Sequence, residues 1–95
     1  MTDKSSVEKK LEAQLDEWKA DIAKMEAKAR QAGADAQADY EAEIKRLRKM
    51  QDDANEELKK LQTASSGAWE DMRKGAEQSM QAMQKAMRDA WSRFG

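Results

Sequence analysis

Three methionines, Met80, Met83 and Met87, recur at i, i+3 and i+7 in the stretch SMQAMQKAMRDAWSRF, residues 79 to 94. On a helix that spacing sets three thioethers on one face, a donor set that suits a soft ion such as Cu(I). No His or Cys accompanies them. Methionine is also a flexible filler of helical cores, and the same positions complete an apolar stripe, so packing is the stronger reading and no metal site is expected.

The charged residues carry equally little chemistry. KRLRK at 45 to 49 is the one basic cluster, and Asp52, Asp53, Glu56 and Glu57 follow it. Arg48 or Lys49 can pair with Asp52, Asp53 or Glu56 along a helix, which leaves little for a phosphate backbone. With 18 basic and 19 acidic side chains the net charge is -1, so no bulk attraction draws nucleic acid. No nucleophile stands beside a base and no glycine-rich loop could cradle phosphate, so neither an enzyme nor a cofactor is expected.

What must position these residues is helix. Charged residues make up 39% of the chain and no proline interrupts it, a composition that favours helix over any alternative order. High charge also favours disorder, but a regular apolar period runs nearly the whole length. Ser5-Ser6-Val7-Glu8 has the form of a capping box and follows a short tail, residues 1 to 4. From there Leu11, Leu15, Trp18, Ile22, Met25, Ala29, Ala32 and Ala36 alternate spacings of four and three, a heptad seam. Tyr40, Ile44, Leu47, Gln51, Ala54, Leu58 and Leu61 continue it after an extra spacing of four across 36 to 44, which reads as a stutter. Gly33 lies close by, but its Ala-rich flanks make a poor loop, and a helix from about 5 to 62 is expected.

The segment QTASSGAWED, residues 62 to 71, is the best break, with a turn over 63 to 67 and Glu70-Asp71 suited to a new first turn. The second helix, about 68 to 94, carries Trp69, Met72, Ala76, Met80, Met83, Met87, Trp91 and Phe94 in an eleven-residue repeat. Such a repeat keeps its stripe on one side of a nearly straight helix. Beside it run Ala68, Gly75, Ser79, Ala86 and Ala90, small enough to admit a neighbouring backbone. Ala13, Ala20, Ala27 and Ala34 recur every seven residues opposite the first seam, either as a second contact face or simply for helix propensity.

At 1.5 Å per residue the first helix would be roughly 87 Å long and the second roughly 40 Å. The expected fold is therefore all-α, a single helical coiled-coil domain over 1 to 95. It is an antiparallel hairpin in which the second helix covers Tyr40, Ile44, Leu47, Leu58 and Leu61. Leu11, Leu15, Trp18, Ile22, Met25, Ala29, Ala32 and Ala36 would remain uncovered and make an oligomer interface, with a second copy or a partner helix. The alternative is a three-helix bundle broken near Gly33.

KKLEAQLDEWKADI, DYEAEIKRLRKMQDDANEELKKLQ and SSGAWEDMRKG together resemble a group of small bacterial coiled-coil proteins of unassigned function. The resemblance implies a bacterial origin and a helical fold, and brings no catalytic or binding residues with it. The eleven-residue repeat of 68 to 94 is similar to the amphipathic repeats of exchangeable apolipoproteins, which implies a lipid surface as a partner for Trp69, Met72, Met83, Trp91 and Phe94. No apolar run has the length of a signal peptide or a membrane span, so a cytoplasmic protein is expected. Two functional readings follow: a non-catalytic structural protein that self-associates through helical packing, and an amphipathic lipid-surface binder.

Overall fold

The chain turns at Gly33, where its composition had favoured continuity. The computed structural model describes residues 4 to 94, apart from the side chain of Phe94. Three helices span these residues: α1 (Lys4–Gln31), α2 (Ala34–Thr63) and α3 (Ser66–Phe94). The long helix of the expected hairpin is thus two helices, and the three-helix bundle is the arrangement found. Of the tail over 1 to 4, residues 1 to 3 lie outside the described residues, and Lys4 already belongs to α1.

Burial explains why the weaker local preference lost. A continuous helix would have left Leu11, Leu15, Trp18, Ile22 and Met25 in water, whereas turning at Gly33 lays α2 along α1 and buries all five, with Ala29. Each large side chain so covered stabilises by about 1.5–3 kcal/mol, against helix preferences of less than about 1 kcal/mol per residue. Ala32, half-buried, and Ala36, exposed, leave the seam at the turn. The extra spacing between 36, 40 and 44 is the change of phase where a new helix begins, not a stutter within one.

At the turn, the Ala32 N–H donates to the Ala29 carbonyl at 3.1 Å to finish α1, and the Gln37 N–H donates to the Gly33 carbonyl at 2.8 Å to start α2. Gly33 caps α2 with φ -66° and ψ 162°, an extended conformation open to any residue, and no side chain caps the helix. A Cβ added there would meet nothing within 4 Å. Gly33→Asp would supply a capping carboxylate and restrict the unfolded chain, so it is expected to stabilise by about 0.5–1 kcal/mol. Thermal unfolding followed by circular dichroism should show a rise of about 3–6 °C.

The second break falls where expected but is shorter. The Ala64 N–H donates to the Leu61 carbonyl at 3.2 Å, closing α2. Ser65 then starts α3: its carbonyl accepts from Ala68 at 3.1 Å and Trp69 at 2.9 Å, and its hydroxyl accepts from Ala68 at 3.4 Å. Ser66 and Gly67, read as turn residues, are the first two residues of that helix.

α2 is the central element. It packs along both other helices, and α1 and α3 touch one another little. Arg93 on α3 reaches Glu43 on α2 at 3.2 Å, and a Cβ at Gly75 would lie 3.6 Å from Glu57, which fixes α2 and α3 as antiparallel. α1 and α3 therefore run side by side in the same direction, in a bundle of 51 × 17 × 17 Å. Ala29, Ala54, Ala76, Ala86 and Ala90 are buried, and their small size lets the helix axes approach closely.

Candidate functional site: the groove between α1 and α3

Because α1 and α3 share α2 but scarcely meet, a channel runs between them. Lys4 Nζ lies 5.6 Å above the Trp69 ring at one end, and Lys28 Nζ lies 5.1 Å above the Trp91 ring at the other. Each such pair is worth about 0.5–1 kcal/mol at an exposed site, so the two helices are held at their ends. Between the ends opens a groove of about 420 Å³. Val7, Leu11, Trp18 and Met80 form its apolar floor, and Ser6, Lys10, Gln14, Glu77, Gln81 and Gln84 form its rim.

Heptad position accounts for this division of roles. Val7, Gln14, Asp21 and Lys28 fall on one line of α1, and the contact of Lys28 with Trp91 shows that this line faces α3. Leu11, Leu15, Trp18, Ile22, Met25 and Ala29 occupy the neighbouring lines and reach the core. They were expected at an interface between chains, and the fold buries them within one chain instead. On α3, Trp69, Ala76, Met80, Met83 and Met87 are buried, and Met72 and Trp91 are half-buried. Of the other expected packing residues, Ile44, Leu47, Leu58 and Leu61 are buried and Tyr40 is half-buried, while the side chain of Phe94 lies outside the described residues.

The three methionines considered as metal ligands are core residues, with Met83 fully enclosed. The described residues contain no group of three His, Cys, Asp or Glu side chains that could hold a metal ion. Among those residues, no helix is long and apolar enough to cross a membrane.

Several polar contacts escaped the sequence because they join distant positions. Among the described residues, Arg48 pairs with Glu26 on α1 and with none of the carboxylates that follow it on its own helix. Arg46 does pair locally, with Glu43 at 3.0 Å. A second groove, of about 330 Å³, lies beside the Arg48–Glu26 pair near the first turn, and Arg30, Glu41 and Lys45 also line it. Gln51, on the apolar seam of α2, is buried and donates from Nε2 to the Leu15 carbonyl of α1 at 3.2 Å. One polar residue at a core position, tied to one carbonyl, fixes how α1 and α2 slide against each other. The signal was present as a lone Gln in a heptad line of apolar residues.

On α3, Arg73 bonds Glu70 and, at 2.7 Å, Glu77. The Arg73 guanidinium beside Glu70 holds that carboxyl below the usual glutamate range, and the two carboxylates push the Arg73 guanidinium further up. No acceptor among the described residues meets the buried indole N–H of Trp69. The chain matches no protein-family model, and its comparison with curated proteins and with solved structures found no match.

Proposed function

We propose that this chain is a non-catalytic helical interaction protein that presents the groove between α1 and α3 to another helix. The observation that carries this reading is the groove itself: an apolar floor with a rim of glutamines and few charges, open between two helices whose Lys4–Trp69 and Lys28–Trp91 contacts lie at either end. A channel between two helices of a bundle has the shape an amphipathic helix fills with apolar residues at i, i+3, i+4 and i+7. Glutamine at the rim can hydrogen-bond a partner's side chains in either sense.

The lipid-surface reading requires more of the molecule. Of the residues that would enter a lipid surface, Trp69 and Met83 are buried against the other helices and Met72 and Trp91 are half-buried, so α3 would have to detach before that face could meet lipid. A groove binder needs no such opening.

A labelled amphipathic model helix of Leu, Gln and Ala, titrated against the folded protein with amide chemical shifts recorded, tests the reading. Shifts confined to residues around Val7, Leu11, Gln14, Met80 and Gln84, and lost in Val7→Lys, are expected. Shifts scattered over the surface, or none with helix at about 1 mM, would remove the groove as a docking surface.

A further inference from the structure

We infer that the turn at Gly33 is a hinge through which two copies of this chain exchange α1. In the exchanged dimer α1 and α2 of each copy join into one helix over residues 4 to 63, the two long helices lie antiparallel, and α1 of each copy packs on α2 and α3 of the other. Each half is then the same three-helix bundle, groove included, so the inference goes beyond the reading of the groove and does not depend on it.

The phase of the apolar seam is the argument. A closed bundle fixes no angular relation between the buried faces of α1 and α2, because the turn between them reorients the chain. Exchange does fix one: with the two helices in a single line, both buried faces must point the same way, toward the antiparallel partner. At about 100° per residue the buried positions of both helices, from Leu11 to Ala29 and from Ile44 to Leu61, fall within a single stripe about 100° wide. Heptad spacing alone would drift by about 20° every seven residues, and the extra spacing of four across 36 to 44 cancels that drift.

Register agrees with phase. Leu15 and Gln51 are 36 residues apart, with Gly33 midway between them. That separation is about ten full turns, so on a straight helix the two positions share one face. A two-fold axis passing at Gly33, perpendicular to the long helices, sets Leu15 of one copy level with Gln51 of the other. The bond from Gln51 Nε2 to the Leu15 carbonyl then re-forms between chains without a shift.

The turn itself is made to straighten. Only Ala32 and Gly33 lie outside the two helices. Gly33 already has a helical φ of -66°, so its ψ of 162° is what must change, and no atom within 4 Å of its Cβ position obstructs the motion. No side chain caps α2. A continuous helix would pair the N–H groups of Ala34, Asp35 and Ala36 with the carbonyls of Arg30, Gln31 and Ala32, which a turn leaves without helical partners. Short connections of this kind are where chains exchange elements.

The test joins mass to distance. The chain has no cysteine, so spin labels at Asp16→Cys and Asp52→Cys, both exposed, report a single pair. In a closed chain the labels face each other across a bundle 17 Å wide. On one long helix they lie roughly 54 Å apart. Light scattering up to about 1 mM should show a wild-type dimer, and labelled chains diluted into excess unlabelled dimer should give the long distance. Gly33→Ala favours the helical hinge in both copies and should tighten the dimer on the order of tenfold. Gly33→Pro suits the closed φ but interrupts a long helix, and should weaken the dimer on the order of a thousandfold while circular dichroism shows it folded. Should the proline variant not fold, the distances in the wild type and in Gly33→Ala decide. Wild type and Gly33→Ala both monomeric throughout, or a dimer that keeps the short distance, would overturn the inference. A monomer that still binds the model helix would overturn the exchange alone and leave the groove standing.

Discussion

Replacing Leu15 and Ile22 with Asp is expected to unfold the chain rather than to part assembled copies. Both residues are 2% exposed and sit in the core shared by α1 with the rest of the bundle. Losing the two side chains removes about 2–5 kcal/mol of stabilisation each, and each introduced carboxylate must either stay charged in an apolar setting or take up a proton. Domains of this size are stable by only about 5–15 kcal/mol, so two such losses together with the cost of two carboxylates in an apolar core are comparable to the whole reserve. The far-ultraviolet circular dichroism of the double variant should lose most of its helical signal at 25 °C. The same pair of substitutions discriminates between the two arrangements the sequence allows. In an extended hairpin with an uncovered seam it would lower the assembled mass and leave helix in place. Retained helicity with a halved mass would therefore return Leu15 and Ile22 to an interface between chains.

Leu47→Ala carries the second large effect. Leu47 lies within α2, the one helix packed along both others, and is 0% exposed. Truncating it leaves a cavity in the closely packed core, and leucine-to-alanine changes at such enclosed sites cost about 3–5 kcal/mol. For a domain under 100 residues this corresponds to a fall in Tm of about 15–25 °C. Leu47→Met conserves volume and should cost less than about 1.5 kcal/mol. Met80→Ala offers an internal comparison, because Met80 borders the open groove and side chains there can relax into it. Urea titrations of the three variants would rank them; equal losses at Leu47 and Met80 would mean that the groove is closed in solution.

Some of this was legible residue by residue. The line Trp69, Ala76, Met80, Met83, Met87 marked the inward side of α3, because burial of a helix face depends on angular position and not on the partner. The line Ile44, Leu47, Leu58, Leu61 did the same for α2. The turn expected over 63 to 67 holds the start of α3, where the Ser65 hydroxyl satisfies a local backbone donor. Gly33 was harder to judge. Its flanks read as helix, its backbone is in a conformation open to any residue, and nothing surrounds it, so no local feature demanded a turn.

Sequence alone determined that this chain is helical, which side of each helix is apolar, and where the second break falls, because propensity, periodicity and capping act within a few turns. Only the tertiary structure decided what covers those apolar sides. The turn at Gly33 won because burying Leu11, Leu15, Trp18, Ile22 and Met25 against the chain's own α2 outweighs the small local advantage of continuing the helix. From that one turn follow the pairing of Arg48 with Glu26, the bond from Gln51 to Leu15, and the parallel alignment of α1 with α3 that opens the groove between them. Each joins residues far apart in the chain, and such contacts exist only once the global competition for apolar burial has been settled.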